Sequence, residues 1–269
     1  MSWSMWRGAP RPCLLWAIVA VCQAVCARAA EPATAGLDRL AGKYGVHLVV
    51  DKEPFPVKTA HGAIDGKPAS RDELRAYVPL FLFEFNLYPR DLVKKTGLKR
   101  IVLCKELTFA GQRRNAVPDF EHDTLYLEVA RGRHSGEYMR RVIHHEFFHV
   151  IDLRDDGELY RDDGWAALNP KGFRYGTGGK DAQGDATVSL AEGVAPGFVS
   201  RYAMTAVEED KAEVFAHMMV AYDRLEKQAK GDRVLGLKVR RMARLLERFS
   251  PAVDGKFWRR VRRVRRQAS

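Results

Sequence analysis

Beyond residue 30 the sequence has a single cysteine, Cys104. No disulfide can form within that part of the chain, so its stability has to come from a packed core and from any bound metal. The other three cysteines, Cys13, Cys22 and Cys26, all stand in the first thirty residues. Long apolar runs are also missing. The longest, from Cys13 to Ala27, falls short of the roughly twenty residues a membrane span needs. There is no internal repeat. With 46% hydrophobic and 29% charged residues over 269 positions, the chain reads as a folded globular protein with one domain of ordinary size or at most two small ones. Cys104 lies in the apolar run Ile101-Val102-Leu103-Cys104, where a buried, inert thiol is expected.

The first thirty residues read as an export signal. Arg7 and Arg11 form a positive start, the Cys13–Ala27 run follows, and Ala27-Arg28-Ala29 reads as a small-x-small cleavage site. Residues 1–29 are therefore expected to be a signal peptide cleaved near Ala29/Ala30, which makes the mature chain periplasmic or extracellular. The net charge of +11 is concentrated at the two ends. The signal segment carries +3. From Lys238 to Ser269 twelve Lys/Arg stand against Glu247 and Asp254, which leaves the remainder close to neutral at about −2. The high pI thus belongs to a tail. A domain over 30–250 and a basic C-terminal helix or tail over 251–269 are expected. In that tail Phe257, Val261 and Val264 fall on one helical stripe with Trp258 beside it, and arginines cover the rest. Such a segment suits an anionic envelope surface, and export argues against a nucleic-acid partner.

Residues 31–43 read as a lead-in and Val46–Val50 as a strand. Ser70-Arg71-Asp72-Glu73 is a capping box opening a helix that Pro89 ends. Arg100–Cys104 reads as a second strand, and the alternating Asp123–Val129 as a third, placed at a sheet edge. Ser135 caps a long helix running to about Leu153. The stretch from 154 to 200 is rich in Gly and Asp, with Gly176-Thr177-Gly178-Gly179-Lys180 its most flexible part. Helices follow from about Thr205 to Tyr222, near 232–249 and near 254–266. This order gives an α+β fold, a small mixed sheet with helices concentrated in the C-terminal half.

The decisive segment is His145-Glu146-Phe147-Phe148-His149. Residues four apart on a helix stand one above the other, so His145 and His149 share a face and can hold one Zn2+. Glu146, beside the first histidine, can act on a metal-bound water as general base. Apolar flanks raise the cost of leaving these groups unpaired. A catalytic zinc wants a third protein ligand. Glu209 and Glu213, four apart on a later helix, offer one carboxylate for the metal and another to orient a ligand histidine. His144 points roughly 100° away from His145 and is expected to pack. His217 continues the Glu209/Glu213 stripe as a core or supporting residue. Asp155 lies six residues after His149, but Asp152 stands where a metzincin would have glycine, so a ligand role for Asp155 is disfavoured. Asp152 is expected to hydrogen-bond near the helix end.

His145-Glu146-x-x-His149, Tyr202, and Glu209-x-x-Ala212-Glu213-x-Phe215 together resemble the gluzincin pattern of lethal-factor-type zinc endopeptidases and of a broad set of bacterial zinc metallopeptidases. The resemblance covers roughly residues 140–220. It implies a zincin-like fold whose sheet packs on the HExxH helix. It also implies Glu209 as third ligand, Tyr202 as a donor to the developing oxyanion, and Glu213 as support for a ligand histidine. In zincins the strand before the signature helix borders the cleft, and Asp123–Val129 fits that place. The expected activity is hydrolysis of peptide or protein substrates by a zinc-activated water with Glu146 as base. A non-catalytic zincin-like envelope protein that binds a partner or an anionic surface is the alternative. Glu146 argues against it, because a purely structural metal site has no use for a base.

Overall fold

The computed structural model describes residues 35–51, 55–176 and 194–266. The signal segment expected over 1–29 and residues 177–180 of the Gly176–Lys180 stretch, expected to be the most flexible, lie outside them. Within the expected lead-in, residues 35–44 form a helix, α1. Leu37, Leu40 and Tyr44 are buried on it, so an i, i+3, i+7 stripe folds it onto the core. Three short elements follow: β1 (His47–Val49), β2 (Val57–Thr59) and β3 (Gly62–Pro68). The capping box then opens α2 (Arg71–Phe85), with Ser70 Oγ accepting from Glu73 N and Glu73 Oε2 accepting from Ser70 N. A short α3 (Arg90–Lys95) leads into β4 (Arg100–Phe109), β5 (Gln112–Arg113), β6 (Ala116–Asp119) and β7 (Thr124–Glu128).

β4 is the axis of a mixed sheet ordered β2-β3-β4-β7-β6. Its first half pairs in parallel with β1 and with β7, and its second half pairs antiparallel with β3. β6 lies antiparallel on β7 and closes that side. The strand expected at the edge is therefore interior, and the edge is Ala116–Asp119. All five residues of β7 are buried. Its alternation points to two cores rather than to a wet face. Leu125 and Leu127 enter the large core under the helices, and Tyr126 joins Val102, Cys104 and Val117 on the other side. Glu128 is buried but satisfied, because its carboxylate accepts from the backbone N–H groups of Leu107, Ala130 and Arg131. A strand whose polar residues are fed by backbone donors looks half-exposed in sequence.

Ser135 caps α4 (Gly136–Asp156), whose last turn runs beyond the expected Leu153 and ends at Gly157 in the left-handed region, φ 83°. A short α5 (Asp163–Ala166) precedes a single 3-10 turn at Tyr202–Met204. α6 (Val207–Val220) then packs along α4, followed by α7 (Tyr222–Gly231), α8 (Arg233–Phe249) and α9 (Gly255–Arg262). Two buried ion pairs lock α6 in place: Lys211 Nζ to Asp152 Oδ1 at 2.5 Å, and Lys238 Nζ to Asp210 Oδ2 at 2.7 Å. Asp152 is thus tied to the neighbouring helix. Phe257, Trp258 and Val261 of α9 are buried in the main core, so the basic C-terminal segment is mounted on the domain by its apolar stripe. Among the described residues no helix is long and apolar enough to cross a membrane.

Candidate metal centre

α4 and α6 run against each other, and the contact gathers the polar residues singled out by their spacing. One turn of α4 separates His145 from His149, and both are buried. Their Nε2 atoms lie 3.2 Å apart. From α6, Glu209 Oε2 comes to 2.9 Å from His145 Nε2 and 3.6 Å from His149 Nε2. Among the described residues these three form the one group of His, Cys, Asp or Glu whose ligand atoms converge closely enough to hold a metal ion. Asp155 is not in it, and its carboxylate pairs with Arg248 at 2.6 Å.

The hydrogen balance fits a cation at that point. His145 Nδ1 donates to Glu213 Oε1 at 3.1 Å, which places the lone pair of the ring on Nε2. Nε2 and the Glu209 carboxylate are then two acceptors facing each other in a buried site, an arrangement that requires a proton or a metal ion between them. Burial pushes His145 towards neutrality, but the hydrogen bonds and charges of Glu209 and Glu213 outweigh it and draw positive charge to this spot. Burial likewise pushes Glu209 up, and its bonds to the two histidines more than reverse this, holding it well below the usual carboxylate range. Two imidazoles and one carboxylate form a donor set that suits Zn2+ and leaves a fourth position open.

Around this group the supports are specific. Ser200 Oγ donates to Glu213 Oε2 at 2.7 Å and accepts from Ala203 N at 3.1 Å, fixing the carboxylate that orients His145. Tyr202 OH donates to Glu209 Oε1 at 2.8 Å. His217 Nδ1 donates to the backbone carbonyl of Glu213 at 2.8 Å, so it steadies α6 and does not face the metal position. His144, fully buried on the back of α4, bonds to Glu84 Oε2 at 3.0 Å and to the Tyr88 hydroxyl. Nothing in the local sequence marks Ser200, Glu84 or Tyr88, since their partners are 13, 60 and 56 residues away.

The group opens into a cleft of about 640 Å³, walled by β6, by Gly157–Tyr160 and by Glu146, His149, Tyr202 and Glu209. The strand along this cleft is β6, not the Asp123–Val129 strand expected there. Burial raises the Glu146 carboxyl above its ordinary range, against the pull of His145 and His149. A carboxyl shifted in this direction suits general-base chemistry, which is most efficient for a group that titrates near the working pH.

Residues 117–234 match the model of a family described as "Putative zinc-binding metallo-peptidase". No curated protein matches the chain. Among solved structures, a protein of that same description from Bacteroides caccae ATCC 43185 is similar at 20% identity and a TM-score of 0.50. The alignment covers 86% of this chain and 91% of that one. At that identity the likeness bears on the fold alone, a mixed sheet with many helices.

Proposed function

We propose that the chain, whose residues 117–234 match a family described as zinc-binding metallo-peptidases, is an exported, zinc-dependent peptidase of gluzincin type with a zincin-like fold. The observation that carries this reading is the convergence of His145 Nε2, His149 Nε2 and Glu209 Oε2 at the floor of an open cleft. A zinc ion held by these three would polarise the scissile carbonyl and acidify a water at the fourth position. Glu146, half-buried in the cleft wall with its carboxyl raised, takes the proton of the attacking water and returns it to the leaving amine. Tyr202 supplies a hydrogen bond to the oxyanion that develops on the carbonyl. Glu213 holds the His145 ring in the tautomer that presents Nε2. β6, with its outer edge unpaired among the described residues, accepts an extended peptide as an added strand.

Export follows from the N-terminal pattern, and the outward face of α9 gives the exported protein a second contact. Lys256, Arg259 and Arg263 are exposed at one-turn spacing and form no ion pair among the described residues. Because the apolar stripe of this helix is buried, the contact is a matter of charge and not of insertion, and it suits an anionic envelope surface. Metal analysis of the purified chain, joined to a Glu146→Gln comparison on a peptide library, tests the enzymatic reading.

A further inference from the structure

The mechanism leaves the buried cluster behind the metal site unused. Glu84 of α2 is fully buried, and its two oxygens receive four donors. Oε1 accepts from Arg140 Nε at 2.9 Å and from Arg266 Nε at 2.8 Å. Oε2 accepts from His144 Nε2 at 3.0 Å and from Arg266 Nη2 at 2.9 Å. That is the full accepting capacity of a carboxylate. Two of the donors, Arg140 and His144, belong to α4, the helix of the metal histidines. The other two come from one guanidinium in the last stretch of the described chain.

Arg266 makes one more bond, from Nη2 to the backbone carbonyl of Met219 at 2.7 Å. Met219 lies in the last turn of α6, where helix carbonyls have no partner in their own helix. One side chain therefore joins the end of α6, which carries Glu209 and Glu213, to the carboxylate that grips the back of α4 directly behind His145. Lys211 and Asp152 tie the same two helices beyond His149. The ligand turns of α4 and α6 are clamped on both sides, and the clamp on the His145 side depends on a residue from the far end of the sequence.

We infer that Arg266 is a positioning residue for the metal centre: by bridging Glu84 and the Met219 carbonyl it sets the spacing at which Glu209 and Glu213 meet His145. A bidentate fork with a third bond is geometry that arginine makes and lysine does not. This inference rests on the zinc reading above and is separable from it.

The test compares Arg266→Ala, Arg266→Lys and Arg265→Ala in the full mature chain. Arg265 is an exposed neighbour with the same charge. Zinc affinity is measured by competition with a chromogenic chelator at a temperature well below unfolding, with the melting temperature of each metal-free chain recorded beside it. Arg266→Ala is expected to weaken zinc binding about tenfold, at the lower end of what loss of an outer support costs. Arg266→Lys should recover part of that loss, and Arg265→Ala should bind as the parent does. If Arg266→Ala lowers only the melting temperature and keeps parental zinc affinity, the residue is a structural anchor and the inference falls. Equal losses in Arg265→Ala and Arg266→Ala would make the effect one of net charge and overturn it as well. Should Arg266→Ala fail to fold, Arg266→Lys is read by the same two criteria. A parent chain without tight zinc would overturn the reading of the site itself, and this inference with it.

Discussion

The phenol of Tyr202 donates to Glu209 Oε1 at 2.8 Å, while Oε2 of the same carboxylate faces His145 Nε2 at 2.9 Å. The residue proposed for the oxyanion is thus joined to the proposed third ligand through that carboxylate's other oxygen. Two roles can be separated. Tyr202→Phe keeps the ring, which lies 5.8 Å from that of His145, and removes the hydroxyl. We expect zinc to be retained and turnover at saturating zinc to fall by on the order of 10²–10³, the usual loss for one oxyanion donor. If turnover is restored simply by adding zinc, the hydroxyl serves Glu209 alone.

Glu209 and Asp155 give the second contrast. Glu209 sits with both histidines, and Asp155 pairs with Arg248. Glu209→Ala should weaken zinc binding far more than Asp155→Ala does, as read by chelator competition. The reverse order would remove Glu209 from the site.

How far these residues announce themselves differs with the kind of relationship. The i, i+4 pairs His145/His149 and Glu209/Glu213 are local, and helix geometry alone puts each pair on one face. That the two faces meet is tertiary, and so are the bonds from Ser200 to Glu213 and from Glu84 to His144. The capping box at Ser70 and the cap at Ser135 are legible because a cap is satisfied within three residues. β7 misleads because Tyr126 and Glu128 find buried partners from remote segments. The amphipathic stripe of α9 is visible in the sequence, whereas its partner is not: Phe257 and Val261 enter the core of the domain.

Acid should weaken the fold through Glu84. Burial pushes its carboxyl up, but bonds and charges from His144 and Arg266 more than offset this and hold it at about 2, below the ordinary 4.5. A carboxyl depressed in the folded state contributes stability above its unfolded pKa, and that contribution is lost as pH falls from about 4.5 towards 2. The urea midpoint of the metal-free chain should therefore drop across this window. Glu84→Gln should be less stable at neutral pH and show a shallower drop. An unchanged acid slope in Glu84→Gln would contradict the assignment.

The C-terminal helix should behave as structure inside and as charge outside. Truncation after Ser250 removes Phe257, Trp258 and Val261, buried side chains worth roughly 1.5–3 kcal/mol each for the aliphatic and phenyl groups. It should markedly lower the melting temperature. Reversing Lys256, Arg259 and Arg263 to glutamate should leave the fold intact and abolish salt-sensitive sedimentation with anionic phospholipid vesicles. Parental vesicle binding by the reversed chain would exclude α9 as the contact.

The most direct measurement is the zinc content of the purified mature chain beside His149→Ala, by elemental analysis after exhaustive dialysis. The account predicts about one Zn2+ per parent chain, from a three-ligand site with one open position, and little or none in His149→Ala. Full zinc occupancy in His149→Ala, with the fold preserved, would contradict it.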